Sequence, residues 1–235
     1  MLRHAEFRCC RPFVEITRFA FNGSLRLTAE RFSEDFFKMN ILPELSFSGA
    51  LRPLVLGAFG LLMSAATATA SSNFLLASIE MPPPNGAQNI CAKYSWACSG
   101  KAAPSISASA EMALVKSVNA MVNASVKPAA DRRQYNKGDY WSLPTASGGD
   151  CEDFALLKKR ELVRLGVDHR KLLLATVLDR RRVPHAVLVY RSESGDLLLD
   201  NLTDDIRNWR QSRYIFLRMQ NPENQWSWVG GFKQS

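Results

Sequence analysis

Histidine is scarce in this chain: there are three in 235 residues, and only His169 and His185 lie beyond residue 70. No CxxC or HxxxH pair occurs, so the usual ligand spacings of zinc are missing. The basic residues outnumber the acidic ones, 30 to 22. They are scattered (Lys158, Lys159, Arg160, Arg164, then Arg180–Arg182) and have no aromatic residues among them. They read as solvated faces and not as a groove for nucleic acid. No internal repeat, low-complexity tract or second domain is visible. The main apolar run, Leu54 to Met63, is too short for a permanent membrane span, and an Ala- and Thr-rich stretch follows it.

That run has another use. Arg52 precedes it, and small residues ending in Ala68-Thr69-Ala70 follow. The order of charge, apolar run and A-x-A site predicts a secretory signal cleaved after Ala70. A start at Met39 gives the signal an ordinary leader, residues 39–70. Residues 1–38 then read as an over-called start or as an extension. Residues 71–235 are the size of one domain with a real core. Export takes the chain to an oxidising compartment, where close cysteines tend to pair. Cys9 and Cys10 fall in the leader. Cys91 and Cys98, seven apart in a loop-like segment, suit a local disulfide; two buried thiols are the alternative. Cys151 is then left over and needs a reason.

Residues 71–104 show little periodicity and read as irregular structure wrapped on the domain. From Ser105 to Val126, Met112, Val115, Val118, Met121 and Val122 recur at helical spacing, and Lys127-Pro128 ends that helix. Residues 131–149 read as a polar loop. A second helix starts at Cys151, with Asp150 as its N-cap and Glu152 and Asp153 in its first turn. Lys158, Lys159 and Arg160 are expected to face out, and Gly166 to stop the helix. The period then changes: 171–178, 184–191, 196–200 and 213–219 read as strands. Helices followed by antiparallel strands make an α+β domain.

The segment GGDCEDFALLKKREL (148–162) puts the leftover thiol at a helix start, where thiolates are stabilised. His185 opens an apolar strand, and a histidine there is commonly a satisfied core residue. The next strand, however, ends in Asp200. With Tyr190 paired to Gly195 around a four-residue loop, His185 sits opposite Asp200, within reach of an Nδ1–H bond to the carboxylate. Nε2 would then be left for Cys151. This is the Cys–His–Asp arrangement of nucleophilic acyl transfer. Asp150, Glu152 and Asp153 crowd negative charge near the sulfur, which opposes its ionisation. They either cap the helix or hold a calcium ion that offsets their charge.

The segments DYWSLPTASGGDCEDFALLKKREL, PHAVLVY and LLLDNL, with VNAMVN upstream, closely resemble the bacterial transglutaminase-like cysteine proteinase family over about residues 85–230. The resemblance implies a papain-like fold with Cys151, His185 and Asp200 as the catalytic triad. It also implies calcium at Asp150 and Glu152, and places Trp141 as a family tryptophan just upstream of the nucleophile. By resemblance the protein is a periplasmic, calcium-dependent protease that clips a large surface adhesin in biofilm control, restrained by an inner-membrane cyclic-di-GMP receptor. Nucleic acid is not an expected partner, and no stable membrane span is expected after signal removal. The Cys91/Cys98 pair departs from the adhesin-clipping pattern. Transglutaminase or amidase acyl transfer uses the same triad. An inactive fold serving as a periplasmic binding module is a third reading.

Overall fold

The computed structural model of the chain describes residues 72–100 and 106–233. The expectations for residues 1–38 and for a signal at 39–70 lie outside the described residues. In chain order the elements are β1 (Ile79–Met81), α1 (Ile90–Lys93), α2 (Ala108–Ser125), α3 (Asp131–Tyr135) and α4 (Cys151–Arg164). β2 (Leu172–Leu178), β3 (Pro184–Ser192), β4 (Gly195–Asp200) and β5 (Thr203–Asn208) follow. The last elements are α5 (Trp209–Ser212), β6 (Ile215–Gln220) and β7 (Trp228–Gly230). The strands form one antiparallel sheet in the order β1-β7-β6-β2-β3-β4-β5, the α+β architecture read from the sequence.

Strand β2 is a continuous apolar run because both of its faces are covered. Leu172 and Leu174 pack with Leu188 of β3, Phe154 and Leu162 of α4 and Val118 of α2. Leu173, Ala175 and Val177 pack with Val187, Trp209 and Phe216 in a second core cluster. Strands β1, β5 and β7 were not legible. β5 (TDDIRN) is an edge strand carrying three charges, so it shows no apolar alternation; β1 and β7 span three residues each.

The helix limits follow from local chemistry. Ser107 accepts a hydrogen bond from the Ala110 N–H at 3.3 Å and caps α2. Gly166 has φ +92; its N–H donates to Val163 O and the Val167 N–H to Leu162 O. This is the double closure that a left-handed residue after a helix permits. The polar stretch 131–149 contains α3 and is not all loop. Asp150 sits at the N-cap of α4, but its side chain makes no capping bond there; Oδ2 instead accepts the Asp131 N–H at 3.2 Å.

The outward placement of Lys158 and Lys159 is corrected: they are 1% and 0% exposed. Helix α4 packs against α2 as well as β3 and β2, and touches the 3-10 turn Ser95–Ala97, so most of its circumference is covered. Lys159 Nζ donates to Gln220 Oε1 (2.7 Å) and Gln225 Oε1 (3.3 Å), and burial pulls its pKa far below the lysine range. Burial also lowers Lys158, to about 7, against the pull of Asp200 and Asp204. Cys91 and Cys98 are joined in a disulfide, and Cys151 is not part of one. Among the described residues, no helix is long and apolar enough to cross a membrane.

Candidate active site

The two glycines before Cys151 let the chain turn tightly into α4. Gly149 is strapped to the end of α2: its N–H donates to Lys127 O, and its carbonyl accepts from the Ala129 N–H. Gly148 has φ +112, and a Cβ there would stand 2.0 Å from Lys127 O. Only glycine fits that crossing. Gly148→Ala is therefore expected to cost about 3 kcal/mol or more of stability, read as a lower urea midpoint. A midpoint equal to that of the parent protein would mean that the crossing yields without strain.

Three elements bring the predicted residues together. Cys151 is the first residue of α4, His185 the second of β3 and Asp200 the last of β4. All three are buried, Cys151 and His185 at 1% exposure. His185 Nε2 lies 2.9 Å from Asp200 Oδ1, and the ring is hydrogen-bonded to Cys151 as well. Two details differ from the sequence reading. The hairpin is tighter, with Ser192 opposite Gly195 and Tyr190 opposite Leu197. His185 is thus diagonal to Asp200, not directly across; the two-residue shift keeps both on one face, since side chains alternate with period two. The ring is also reversed: Nε2 meets the carboxylate, leaving Nδ1 for the sulfur.

The electrostatics follow from this packing. Burial works against a charge on His185, but hydrogen bonds and charge from Asp200 and Cys151 outweigh it and raise the pKa to about 10. Burial would raise Asp200, yet His185, the Tyr214 hydroxyl and the Leu202 N–H hold it down at about 2. Tyr214 was missed by sequence reasoning. Its hydroxyl donates to Asp200 Oδ2 at 2.6 Å, and its ring meets His185 edge-on at 5.9 Å. It lies just outside β6, with no motif to mark it. Asn123, from the VNAMVN segment, donates to Asp200 O at 2.9 Å and ties the strand end to α2. Trp141 is buried, with Nε1–H given to Asp139 (2.9 Å) and its ring edge-on to Trp228.

The acids divide into two roles. Asp131, Asp150 and Glu152 each offer an oxygen within 4.8 Å of the others, and all three are buried. Asp131 comes from α3, 19 residues before Asp150, a separation that carries no motif. Its Oδ2 accepts the Tyr140 N–H. Asp131 Oδ1, Asp150 Oδ1 and Glu152 Oε1 are buried with no hydrogen-bond partner. Burial, then the charge of Asp150, raises Asp131 to about 7. Burial and the nearness of Cys151 and Asp150 raise Glu152 well above the carboxylate range. Partnerless, converging oxygens with costly charge fit a hard cation such as calcium. Glu152 also touches the sulfur: the Cys151 thiol donates to Oε2 at 3.2 Å. Asp153 instead braces the loop, accepting from the Ser142 N–H at 2.9 Å.

The family model described as "Bacterial transglutaminase-like cysteine proteinase BTLCP" matches residues 78–233. The chain belongs to this family. It is therefore a cysteine peptidase, and its helices packed on an antiparallel sheet agree with the papain-like fold expected for it. Solved structures of Legionella pneumophila LapG are similar. The calcium-bound form is 28% identical, over 50% of this chain and 68% of LapG, with a TM-score of 0.43. The EGTA-treated form is 26% identical, over 53% and 72%, with a TM-score of 0.44. A third LapG structure is 27% identical, over 53% and 70%, with a TM-score of 0.43. No curated protein matches the chain.

Proposed function

We propose that this cysteine peptidase is an exported endopeptidase acting through Cys151, His185 and Asp200. The observation that carries the reading is one imidazole bonded to both the Asp200 carboxylate and the Cys151 sulfur. An imidazolium beside the sulfur favours the thiolate, and the N-terminus of α4 adds to this. The Cys151 thiolate attacks the scissile carbonyl. His185, having taken the thiol proton on Nδ1, returns it to the leaving amine. Asp200 holds the ring's other N–H and balances its charge. Backbone N–H groups near the start of α4 face the developing oxyanion. Water then attacks the acyl-enzyme, and His185 serves as its base.

Asp150, Glu152 and Asp131 are the residues to hold calcium. Bound calcium supplies positive charge that offsets the carboxylates beside the sulfur. The similar Legionella pneumophila LapG has been solved in a calcium-bound and an EGTA-treated form, in keeping with this. The substrate in this reading is a protein, a large surface adhesin cut in biofilm control, with an inner-membrane cyclic-di-GMP receptor as restraint. The place of action is the periplasm, reached through the signal at 39–70.

The test is hydrolysis against transfer. Purified protein with adhesin fragments and calcium is expected to give cut products without incorporating a labelled amine; incorporation in place of hydrolysis would make it a transferase. A second measurement reads the ring. Hydrolysis needs the imidazolium, so kcat/KM is expected to fall as pH rises through about 10. In Asp200→Asn the charge that supports His185 is gone. The alkaline limb should move down toward the ordinary histidine value of about 6.5. An unmoved limb would take Asp200 out of the relay.

A further inference from the structure

Beyond Asp200 lies a cavity of about 390 Å³, lined by Asp200, Tyr214, Leu202, Arg180, Arg181 and Arg207 among others. Neither the relay nor the acid cluster uses it. The acids around it are already committed. Asp200 is held by His185, Tyr214 and Leu202. Asp179 Oδ1 accepts the Arg181 and Val183 N–H groups at 2.7 and 2.9 Å. Asp205 pairs with Arg207 at 2.5 Å.

The arginines are less fully used. Arg180 Nε donates to Ser212 O at 3.0 Å, which anchors the loop between β2 and β3 and leaves the rest of the guanidinium available. The guanidinium groups of Arg181 and Arg182 have no partner among the described residues, and both residues are exposed. Turn bonds from the Arg182 N–H to Asp179 O and from the Asp179 N–H to Val183 O hold this loop at the start of β3, directly before His185. Arg180 and Arg181 of the basic run, which as sequence is only a solvated face, thus line a cavity that the relay's own carboxylate also lines.

We propose that this cavity is a specificity subsite for an acidic side chain of the substrate, read by Arg180 and Arg181. The inference rests on the peptidase reading above and names the substrate chemistry that goes with it. Asp200 holds Nε2 of His185, so the bond to the Cys151 sulfur falls to Nδ1, and Asp200 lies on the far side of the ring from Cys151. A hydrogen bond on each side of an imidazole puts the carboxylate roughly 8 Å from the sulfur. At about 3.3 Å per residue, an extended peptide lying over Cys151 reaches the cavity two to three residues from the scissile bond. A carboxylate arriving there meets guanidinium groups in a partly enclosed space, where charge-assisted hydrogen bonds are stronger than in open water.

The test uses paired peptide acrylamides of equal length, with Glu or its neutral twin Gln two or three residues from the reactive carbon, on either side. The rate of Cys151 labelling is read by mass spectrometry on the calcium-supplied protein. At one position the Glu probe is expected to label about tenfold faster than its Gln twin, the size of one charge-assisted hydrogen bond. The ratio should fall toward one in Arg181→Gln, whose lost side chain held no partner. It should invert when Arg180→Glu and Arg181→Glu are combined. Lys116→Glu, the same charge reversal on the exposed side of α2, should keep the wild-type ratio. Ratios near one at every position overturn the subsite, as does loss of the ratio in Lys116→Glu, which would mean a general field and no site. Plain iodoacetamide separates the two readings. Labelling by it without a Glu preference sinks the subsite alone, whereas no labelling of Cys151 by any reagent sinks the nucleophile and the subsite with it.

Discussion

Cys151→Ala is expected to lower kcat/KM by on the order of 10⁴-fold or more, below ordinary detection, while the fold persists. The sulfur is the one group at the start of α4 able to form an acyl intermediate, and His185 without it has only water to activate. The structural cost is small. Cys151 is buried at 1% exposure, but only one atom is removed, into a pocket bounded by side chains that relax. About 1 kcal/mol is a fair expectation, a shift of a few degrees in the melt. Circular dichroism and thermal melts should therefore overlay closely while cleavage vanishes. Cys151→Ser should be inactive too, because His185 is tuned to a thiol and not to an alcohol of much higher pKa. Cleavage by Cys151→Ala at the wild-type rate would end the nucleophile assignment. A collapsed fold would leave Cys151→Ser, nearly isosteric, to decide it.

Removing calcium with EGTA is expected to lower the melting temperature by about 5–10 °C and to suppress cleavage, both restored by added calcium. Asp131, Asp150 and Glu152 converge within 4.8 Å and keep three buried oxygens without partners. Such groups are costly unless they hold protons or a cation. At a free concentration near one hundred times its Kd, a bound ion adds about 2.7 kcal/mol. In a domain of this size each kcal/mol moves the melt by about 2–4 °C. Asp131→Asn separates the cluster from a simple helix start. It lies on α3 and does not touch the sulfur, yet it should blunt the response to EGTA as Asp150→Asn does. Melts and rates indifferent to EGTA would exclude a structural ion. An EGTA response unchanged in Asp131→Asn would limit the ligands to the start of α4.

The two faces of the site differ in how far local chemistry announces them. Cys151 was legible because a helix start, two glycines and three acids stand together in six residues of chain, 148 to 153. His185 and Asp200 were legible because a hairpin imposes arithmetic: any register of the right parity puts both on one face. The parity survived a hairpin two residues tighter than expected. What the arithmetic could not supply was the orientation of the ring. Its choice of nitrogens depends on where α4 delivers the sulfur, which is a matter of helix-to-sheet packing. Lys158 and Lys159 show the same boundary. Charge at helical spacing reads as a solvent face, and only the placement of α2 and the Ser95–Ala97 turn against α4 buried them.

The order of helices and strands, the thiol at a helix start and the pairing of His185 with Asp200 came from the chain alone. Each rests on periodicity or spacing within a few turns or one hairpin, where sequence distance and spatial distance stay proportional. Asp131 in the acid cluster, Tyr214 on Asp200, Asn123 on its carbonyl and the arginine-rimmed cavity were decided only when distant segments packed. Those contacts join residues 14 (Tyr214 to Asp200), 19 (Asp131 to Asp150) and 77 (Asn123 to Asp200) positions apart on elements not joined by one hairpin, and no local rule of backbone geometry relates them.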